Sequence, residues 1–501
     1  MASTAAVLFV QNDADDIGWW MAYHLALGFD ALIVIDDQST DGTWEIVQSA
    51  AGLYPIEAQR APAGSGIDYA ERRSAAFSQA IASCRSRFDW VICLESDEYV
   101  YPEREDTIGA YLDRFADADA IMLHWSIFGS NNHIARTAHA PVAAYTRRAP
   151  LDFADHALGK RFVRPEAVQN HALDGCHYAL DESRHVTASG APYDPAAAPT
   201  WDGARILHYV ARNMTHYTRR IARLPAGVTP PDLWSHFNRN DEEDLAPSRF
   251  LPATRDHAAR IARAGLDAFF WRVRQDIEAF SPSFLPETVF TIRKRESIAT
   301  APRFNYAQIE NSAGERLAYD TDKNNLVFIS SNASPEGTLP VWLVIDQQAE
   351  PETPSKGFLM LPQGEAPLIA TGALLTRWLP VQVDDDVSAD PARTSCRLLA
   401  LQGSSGLGPD LDGVLGLNAA APMPLVLQFV QPDRALTERL RPYFALRSRG
   451  NSLRDFVTGL DLMRTPHADA LACAIAHLTP DARSMLEIRY AGLVPLWLAA
   501  A

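Results

Sequence analysis

Two clusters of carboxylates carry the strongest chemical signal in this chain. The first lies in Asp36-Asp37-Gln38-Ser39-Thr40-Asp41-Gly42-Thr43, which follows an apolar run and opens a helical pattern. Ser39 to Thr43 read as a polar turn with Asp41 or Thr43 capping the helix. That leaves two adjacent carboxylates without a structural task, able to accept hydrogen bonds from a nucleobase imide or ribose hydroxyls. The second cluster is Glu95-Ser96-Asp97-Glu98, directly after the apolar run Trp90 to Leu94. Three carboxylates within four residues offer oxygen ligands suited to a hard divalent cation, Mg²⁺ or Mn²⁺, which can bridge to a diphosphate. The plain alternative is a solvated acidic turn. Charge concentrated after a buried strand is costly unless something neutralises it, so the ligand reading is preferred.

The elements that must hold these clusters alternate between strand and helix. Ala6 to Val10, Ala31 to Ile35, Tyr54 to Ala58 and Trp90 to Leu94 are short apolar runs of the buried-strand kind. Ile17 to Leu27, Thr43 to Ala51 and Tyr69 to Arg85 carry helical spacing between them, and Gly28 closes the first. Such alternation means βαβ units on a mostly parallel sheet. Ligands in these sheets bind beyond the carboxyl ends of the strands, where Asn12-Asp13, Asp36-Asp37 and Glu95 to Glu98 fall. The expected class is therefore α/β with a Rossmann-like N-terminal domain over residues 1–284.

Further on, Ala120 to Trp125 reads as a strand, and Trp201 to Tyr217 as a strand running into a helix. Arg255 to Phe280 reads as a long amphipathic helix ending at a hinge, Pro282 to Pro286. Residues 285–432 change texture. Runs such as Leu326 to Ser330, Val341 to Ile345, Leu398 to Gln402 and Leu425 to Val430 indicate a β-rich accessory module, a sandwich or a partly open barrel. Residues 433–501 read mainly as helices, with Ala491 to Ala501 as a tail helix docking on a domain.

At 501 residues the chain suits two or three domains, and its 47% hydrophobic content excludes global disorder. A net charge of −17 argues against a nucleic-acid partner. Cys84, Cys93, Cys176, Cys396 and Cys473 form no CxxC pair and read as reduced core thiols of a cytoplasmic protein. The N-terminus lacks a basic leader region, and no apolar stretch is long enough to span a membrane. Peripheral contact with the inner face of a membrane is compatible with this reading.

The two clusters at this separation resemble the nucleotide-sugar glycosyltransferases of the GT-A fold, family-2-like and closest to the family-92-like branch. The segments that carry the resemblance include Val10-Gln11-Asn12-Asp13 with Gly18-Trp19-Trp20 and Tyr23-His24, Gly28-Phe29-Asp30 leading into Asp36 to Gly42, and Trp90 to Val100 as the "DxD" region. Trp125 to Ser130, Lys160 to Pro165 with His171, and His208 to Arg212 follow in the family's order, so the likeness covers roughly residues 5–245. Beyond that no likeness is found. The resemblance implies donor-nucleotide contacts at Asp36, Asp37 and Asp13, with Asp68 and Arg73 near the base or diphosphate. It implies a metal ligand at Asp97, with Glu95 in the first DxD position, and a third ligand at His171 or His208. Lys160 and Arg164 are placed to hold the diphosphate. Asp174, flanked by His171 and His177, ranks ahead of Asp155 as the general base of an inverting reaction. The expected donor is a UDP-hexose with Mn²⁺ or Mg²⁺, and the acceptor a saccharide or glycolipid. Trp125, Trp201, Trp234 and Tyr178 are candidates for a sugar platform, although aromatics at such spacing are more often core. Residues 285–501 offer room for oligomerisation.

Other classes fit less well. A nucleotidyltransferase would want a Gly-rich basic loop after the first strand, where this chain has Gln11 to Asp16. A haloacid-dehalogenase phosphatase would want a nucleophilic Asp where Glu95 stands. A carbohydrate-binding or scaffold protein with a transferase-like shell would have no need to retain clustered carboxylates.

Overall fold

The computed structural model describes residues 2–62, 67–134, 136–137, 139–168, 184–221, 230–284, 304–320, 325–331, 336–346, 355–360, 378–386, 394–400, 405–409, 415–447 and 453–495. It separates into two compact units, Met1–Ile261 and Ala262–Ala500. Each is described on its own.

The first unit starts from strand β1 (Thr4–Val10), whose seven residues are all buried. A strand covered on both faces needs an unbroken apolar run, and each such Val, Leu or Phe contributes about 1.5–3 kcal/mol by leaving water. Helix α1 (Ile17–Ala26) follows, then β2 (Ala31–Asp36), α2 (Thr43–Ala51), β3 (Ile56–Arg60), α3 (Tyr69–Cys84) and β4 (Trp90–Leu94). Gly28 takes φ +83° just past α1, the left-handed exit that glycine makes without strain. These strands pair in parallel in the order β3-β2-β1-β4, with Val10 opposite Asp36 and Leu8 opposite Leu94. All their carboxyl ends therefore lie on one edge.

The chain then turns at once into β5 (Glu98–Pro102), followed by α4 (Ile108–Leu112), β6 (Ala120–Ile127), α5 (Pro141–Ala144), β7 (Arg147–Arg148), β8 (Gly159–Val163), β9 (His185–Thr187) and β10 (Ala204–His208). Strand β8 is antiparallel to both β4 and β6, while β10 is parallel to β6 and antiparallel to β5. The sheet is thus mixed, with its parallel strands concentrated in the first half. Gly159 is required where β8 crosses β6: a Cβ there would lie 2.0 Å from the Leu123 carbonyl oxygen. Helices α6 (Met214–Ile221) and α7 (Pro230–Phe237), the short β11 (Glu242–Glu243) and the long α8 (Leu251–Phe284) complete this part of the chain. The division between units falls within α8, which runs through Pro282, where a hinge was expected.

In the second unit, strands β12 (Phe304–Glu310), β13 (Glu315–Asp320), β14 (Asn325–Ser330), β15 (Thr338–Pro340), β16 (Trp342–Asp346), β17 (Ser355–Met360), β18 (Trp378–Asp386), β19 (Thr394–Ala400), β20 (Gly406–Pro409), β21 (Leu415–Ala419) and β22 (Leu425–Val430) form one antiparallel sheet. Because β22 pairs with both β12 and β19, the path β12-β16-β17-β18-β19-β22 closes into a ring. Closure removes the edges that a sandwich or open barrel would leave. The helices Arg434–Arg447, Leu453–Leu462, Ala468–Ala476 and Pro480–Arg489 share a core with Phe358, Trp378 and the Leu266–Val273 part of α8. The last of these helices ends at Arg489. Residues 491–495 are turn, so the expected tail helix is absent there, and residues 496–501 lie outside the described ones. Among the described residues no helix is long and apolar enough to cross a membrane.

Candidate functional site

At the carboxyl edge of the first sheet the chain leaves β1 and β2 through two non-glycine residues in left-handed conformation, Asn12 (φ +52°) and Gln38 (φ +55°). The two turns are knitted together. The Asn12 N–H donates to Ser39 Oγ at 2.8 Å, the Thr40 N–H to Asn12 Oδ1 at 2.8 Å, and the Asp13 N–H to Thr43 Oγ1 at 2.8 Å. Thr43 and Asp41 are thus cross-links as well as turn residues. Asp36 is buried. Its Oδ2 accepts from the Ser39 N–H and from Arg60 Nε, both at 3.1 Å, while its Oδ1 is buried with no partner. Asp37 accepts from Arg72 Nη2 at 2.7 Å and Nε at 3.1 Å, and from Gln11 Nε2 at 3.0 Å. Both carboxylates expected at the donor nucleotide are present side by side, each held by an arginine that local spacing did not single out.

The acidic turn after β4 distributes its carboxylates among different tasks. Glu95 pairs with Arg73 at 2.7 Å. Asp97 is buried, with Oδ2 3.6 Å from His208 Nε2. The antiparallel register of β5 and β10 sets His208 opposite Glu98, which brings that histidine to the turn across more than a hundred residues. A separation of 3.6 Å is too long for a hydrogen bond. It suits an oxygen and an imidazole nitrogen that share a cation, and carboxylate and imidazole ligands both serve Mn²⁺ or Mg²⁺ chemistry. Glu98 is buried too: it accepts from the Glu95 N–H at 2.8 Å and Trp125 Nε1 at 2.9 Å, and pairs with Lys160 Nζ at 3.2 Å. Burial raises its carboxyl above the usual range against the opposing pull of Lys160.

Beside this turn stands Arg212, 1% exposed and with φ +46°. Its guanidinium reaches Asp13 Oδ1 at 3.1 Å, His216 Nε2 at 3.1 Å and Ser96 Oγ at 3.4 Å, and also pairs with Asp16. Asp13, Asp16 and His216 have ligand atoms close enough to one another to suggest a metal site. Arg212 contacts all three, however, and so takes the place a cation would hold. Burial lifts Asp13 to about 6 despite Arg212. Asp16, although burial pushes the other way, is held low by Arg212 and Arg136. A non-glycine residue kept left-handed in the core costs energy and persists only where its surroundings over-determine it, which marks this corner as a strained one.

Other expected residues are separated from this site or given other work. Arg164 is a correction. Strand β8 runs antiparallel to β4, with Val163 opposite Val91, so Lys160 reaches the acidic turn while Arg164 lies at the opposite edge of the sheet. There Arg164 donates to the Ala118 and Phe115 carbonyls at 2.8 and 3.1 Å and covers the Trp90 ring. Lys160 is buried against Glu98 rather than open to a diphosphate. Asp68 caps α3, accepting from the Ala70 N–H at 3.2 Å. Asp155 pairs with His236 at 2.7 Å. Asp174, His171, Cys176, His177 and Tyr178 lie outside the described residues, and Cys84, Cys93, Cys396 and Cys473 are buried thiols. Trp201 carries two guanidinium groups against its ring, with the Arg148 and Arg205 guanidinium carbons 4.5 and 4.9 Å from its centroid. Arg60, Arg72, Asp16, His216 and Arg212 were missed. Arg212 could have been found, because it closes the His208 to Arg212 segment at a strand end.

Residues 26–169 match the family model "Glycosyl transferase family 2". This stretch carries a glycosyltransferase domain. No curated protein matches the chain. Among solved structures, S. aureus TarS 1-349 is 12% identical, covering 66% of this chain and 98% of its own, with a TM-score of 0.27. S. aureus TarS in its longer form is 10% identical over 87% and 97%, with a TM-score of 0.23. Glucosyl-3-phosphoglycerate synthase from Mycobacterium tuberculosis, in complex with Mn²⁺, UDP-glucose and phosphoglyceric acid, is 19% identical over 25% and 44%, with a TM-score of 0.19.

Proposed function

We propose that the protein moves a hexose from a UDP-sugar to a hydroxyl of a saccharide or glycolipid acceptor, with a divalent cation and with inversion, as a family-2-like enzyme close to the family-92-like branch. The observation that carries this reading is the Asp97–His208 pair at 3.6 Å, beside Asp36 and Asp37 on one sheet edge. In this reading Asp97 and His208 hold Mn²⁺ or Mg²⁺, and Glu95 is freed toward it when Arg73 turns to the diphosphate. When bound, the cation offsets charge growing on the leaving diphosphate. Asp36 and Asp37, held by Arg60 and Arg72, accept hydrogen bonds from the nucleoside. Asp13 stays with Arg212 as part of the wall. Asp174 or Asp155 takes the acceptor proton as general base.

A thermal-shift screen of UDP-, GDP- and dTDP-sugars with and without Mn²⁺ tests this, because a ligand bound only by the fold raises apparent stability. Stabilisation by UDP-sugars with Mn²⁺, lost in Asp97→Asn at unchanged intrinsic melting, is the expected outcome. The absence of a shift with every nucleotide sugar defeats the reading.

A further inference from the structure

Glu98 belongs to the acidic cluster, yet every contact of its carboxylate is internal. Oε1 accepts the Trp125 indole N–H at 2.9 Å, and Oε2 meets the Glu95 N–H at 2.8 Å and Lys160 Nζ at 3.2 Å. With 1% of its surface exposed and three of its roughly four acceptor sites taken, it is closed to a ligand. Its three partners come from three places: the acidic turn, β6 and β8. Trp125 is the partner that reaches the site. It is half-buried, its ring lies 4.4 Å from that of His208, and its own carbonyl is fixed by Trp201 Nε1 at 2.9 Å. The indole is therefore tethered at both its N–H and its backbone, beside the imidazole that faces Asp97.

We infer that Glu98 is a positioning residue and that Trp125, held by it, is the wall against which the donor hexose packs. This rests on the donor reading above. A hexose joined through one bridging oxygen to a phosphate that a cation at Asp97 and His208 would hold must lie next to whatever flanks that pair, and Trp125 does so. An indole face offers sugar C–H groups apolar contact without competing for hydroxyls. Trp201 is instead engaged by the Arg148 and Arg205 guanidinium groups. Glu98 then sets the angle of the wall and the path of the acidic turn at once, while Lys160 neutralises a charge that would otherwise be buried alone.

The test compares binding of UDP with binding of UDP-glucose and UDP-galactose, all with Mn²⁺, by calorimetry. In Trp125→Ala and Glu98→Gln, the hexose-bearing ligands weaken about tenfold or more while UDP stays within threefold, and Trp125→Phe, which keeps a ring but loses the tether, falls between. Mn²⁺ affinity, read from the free-ion electron paramagnetic resonance signal, stays within threefold in Glu98→Gln. Because Glu98→Gln removes the carboxylate that Lys160 meets at 3.2 Å and leaves it Glu95 at 3.8 Å, Glu98→Gln/Lys160→Met is measured beside it and gives the same ratio. Equal weakening of UDP and UDP-hexoses, loss of Mn²⁺ affinity, or no change in either overturns the inference alone. Failure of the wild-type protein to bind any of the three ligands overturns the donor reading and this inference with it.

Discussion

Arg212→Met tests how the acidic edge is held together. The wild-type guanidinium contacts Asp13, Asp16 and His216 from a site that is 1% exposed. Removing one partner of a buried charge group leaves the others uncompensated, at a cost of about 3–5 kcal/mol. For a unit the size of Met1–Ile261 that lowers Tm by roughly 6–20 °C. The loss depends on pH in a definite direction. Asp13 already binds its proton more tightly when folded, at about 6 against an ordinary 3.8, and loses still more of its counter-charge in the variant. A carboxyl raised on folding contributes stability below its unfolded value, and that stability disappears as pH rises through the folded value. The deficit of Arg212→Met therefore widens between pH 4.5 and pH 8. Arg212→Gly removes the same charge but takes φ +46° freely, so it retains about 1 kcal/mol that Met at that backbone does not. Calorimetric melts of the three proteins across that pH range decide the matter. Equal Tm values for wild type and Arg212→Met at pH 8, or a deficit indifferent to pH, would refute the charge-clamp argument.

Three further outcomes follow from the same geometry. Arg164→Met leaves UDP affinity within twofold while lowering stability by about 1–3 kcal/mol through its lost carbonyl contacts, as paired nucleotide titrations and melts would record. A clear loss of UDP affinity would instead place Arg164 at the site. Gly159→Ala drives a methyl into the Leu123 carbonyl and lowers the urea midpoint by an amount equivalent to about 1–3 kcal/mol or more; an unchanged midpoint would contradict the β6–β8 crossing described. His24, buried and depressed to about 3, and His477, buried and held well below 6.5, are neutral in the fold. Their contribution is complete above pH 6.5 and is lost as pH falls below it, and substitution of His24 by Gln should flatten that acid limb in a stability-versus-pH series.

Much of the site was legible because parallel strands impose a local rule. An apolar run that stops at Asp13, at Asp36-Asp37 or at Glu95 must place those carboxylates on one edge once the strands pair in parallel, and the register of β1 with β2 and β4 does this. The role of each carboxylate was not legible. Asp97 and Glu98 are adjacent and chemically alike, yet β5 and β10 turn one toward His208 and the other into Trp125 and Lys160. Reversal of β8 likewise sent Arg164 to the far edge although it is only four residues from Lys160. In the second unit the strand runs were visible, but ring closure depends on β22 pairing with β12 and β19, which no local pattern encodes. The sequence by itself determined the first four strands, the first three helices and the acidic character of one sheet edge, since these follow from burial periodicity and short-range capping. Tertiary structure decided which arginine or lysine answers each carboxylate and which histidine stands beside Asp97, because those pairings depend on strand direction and register set by packing of the whole sheet.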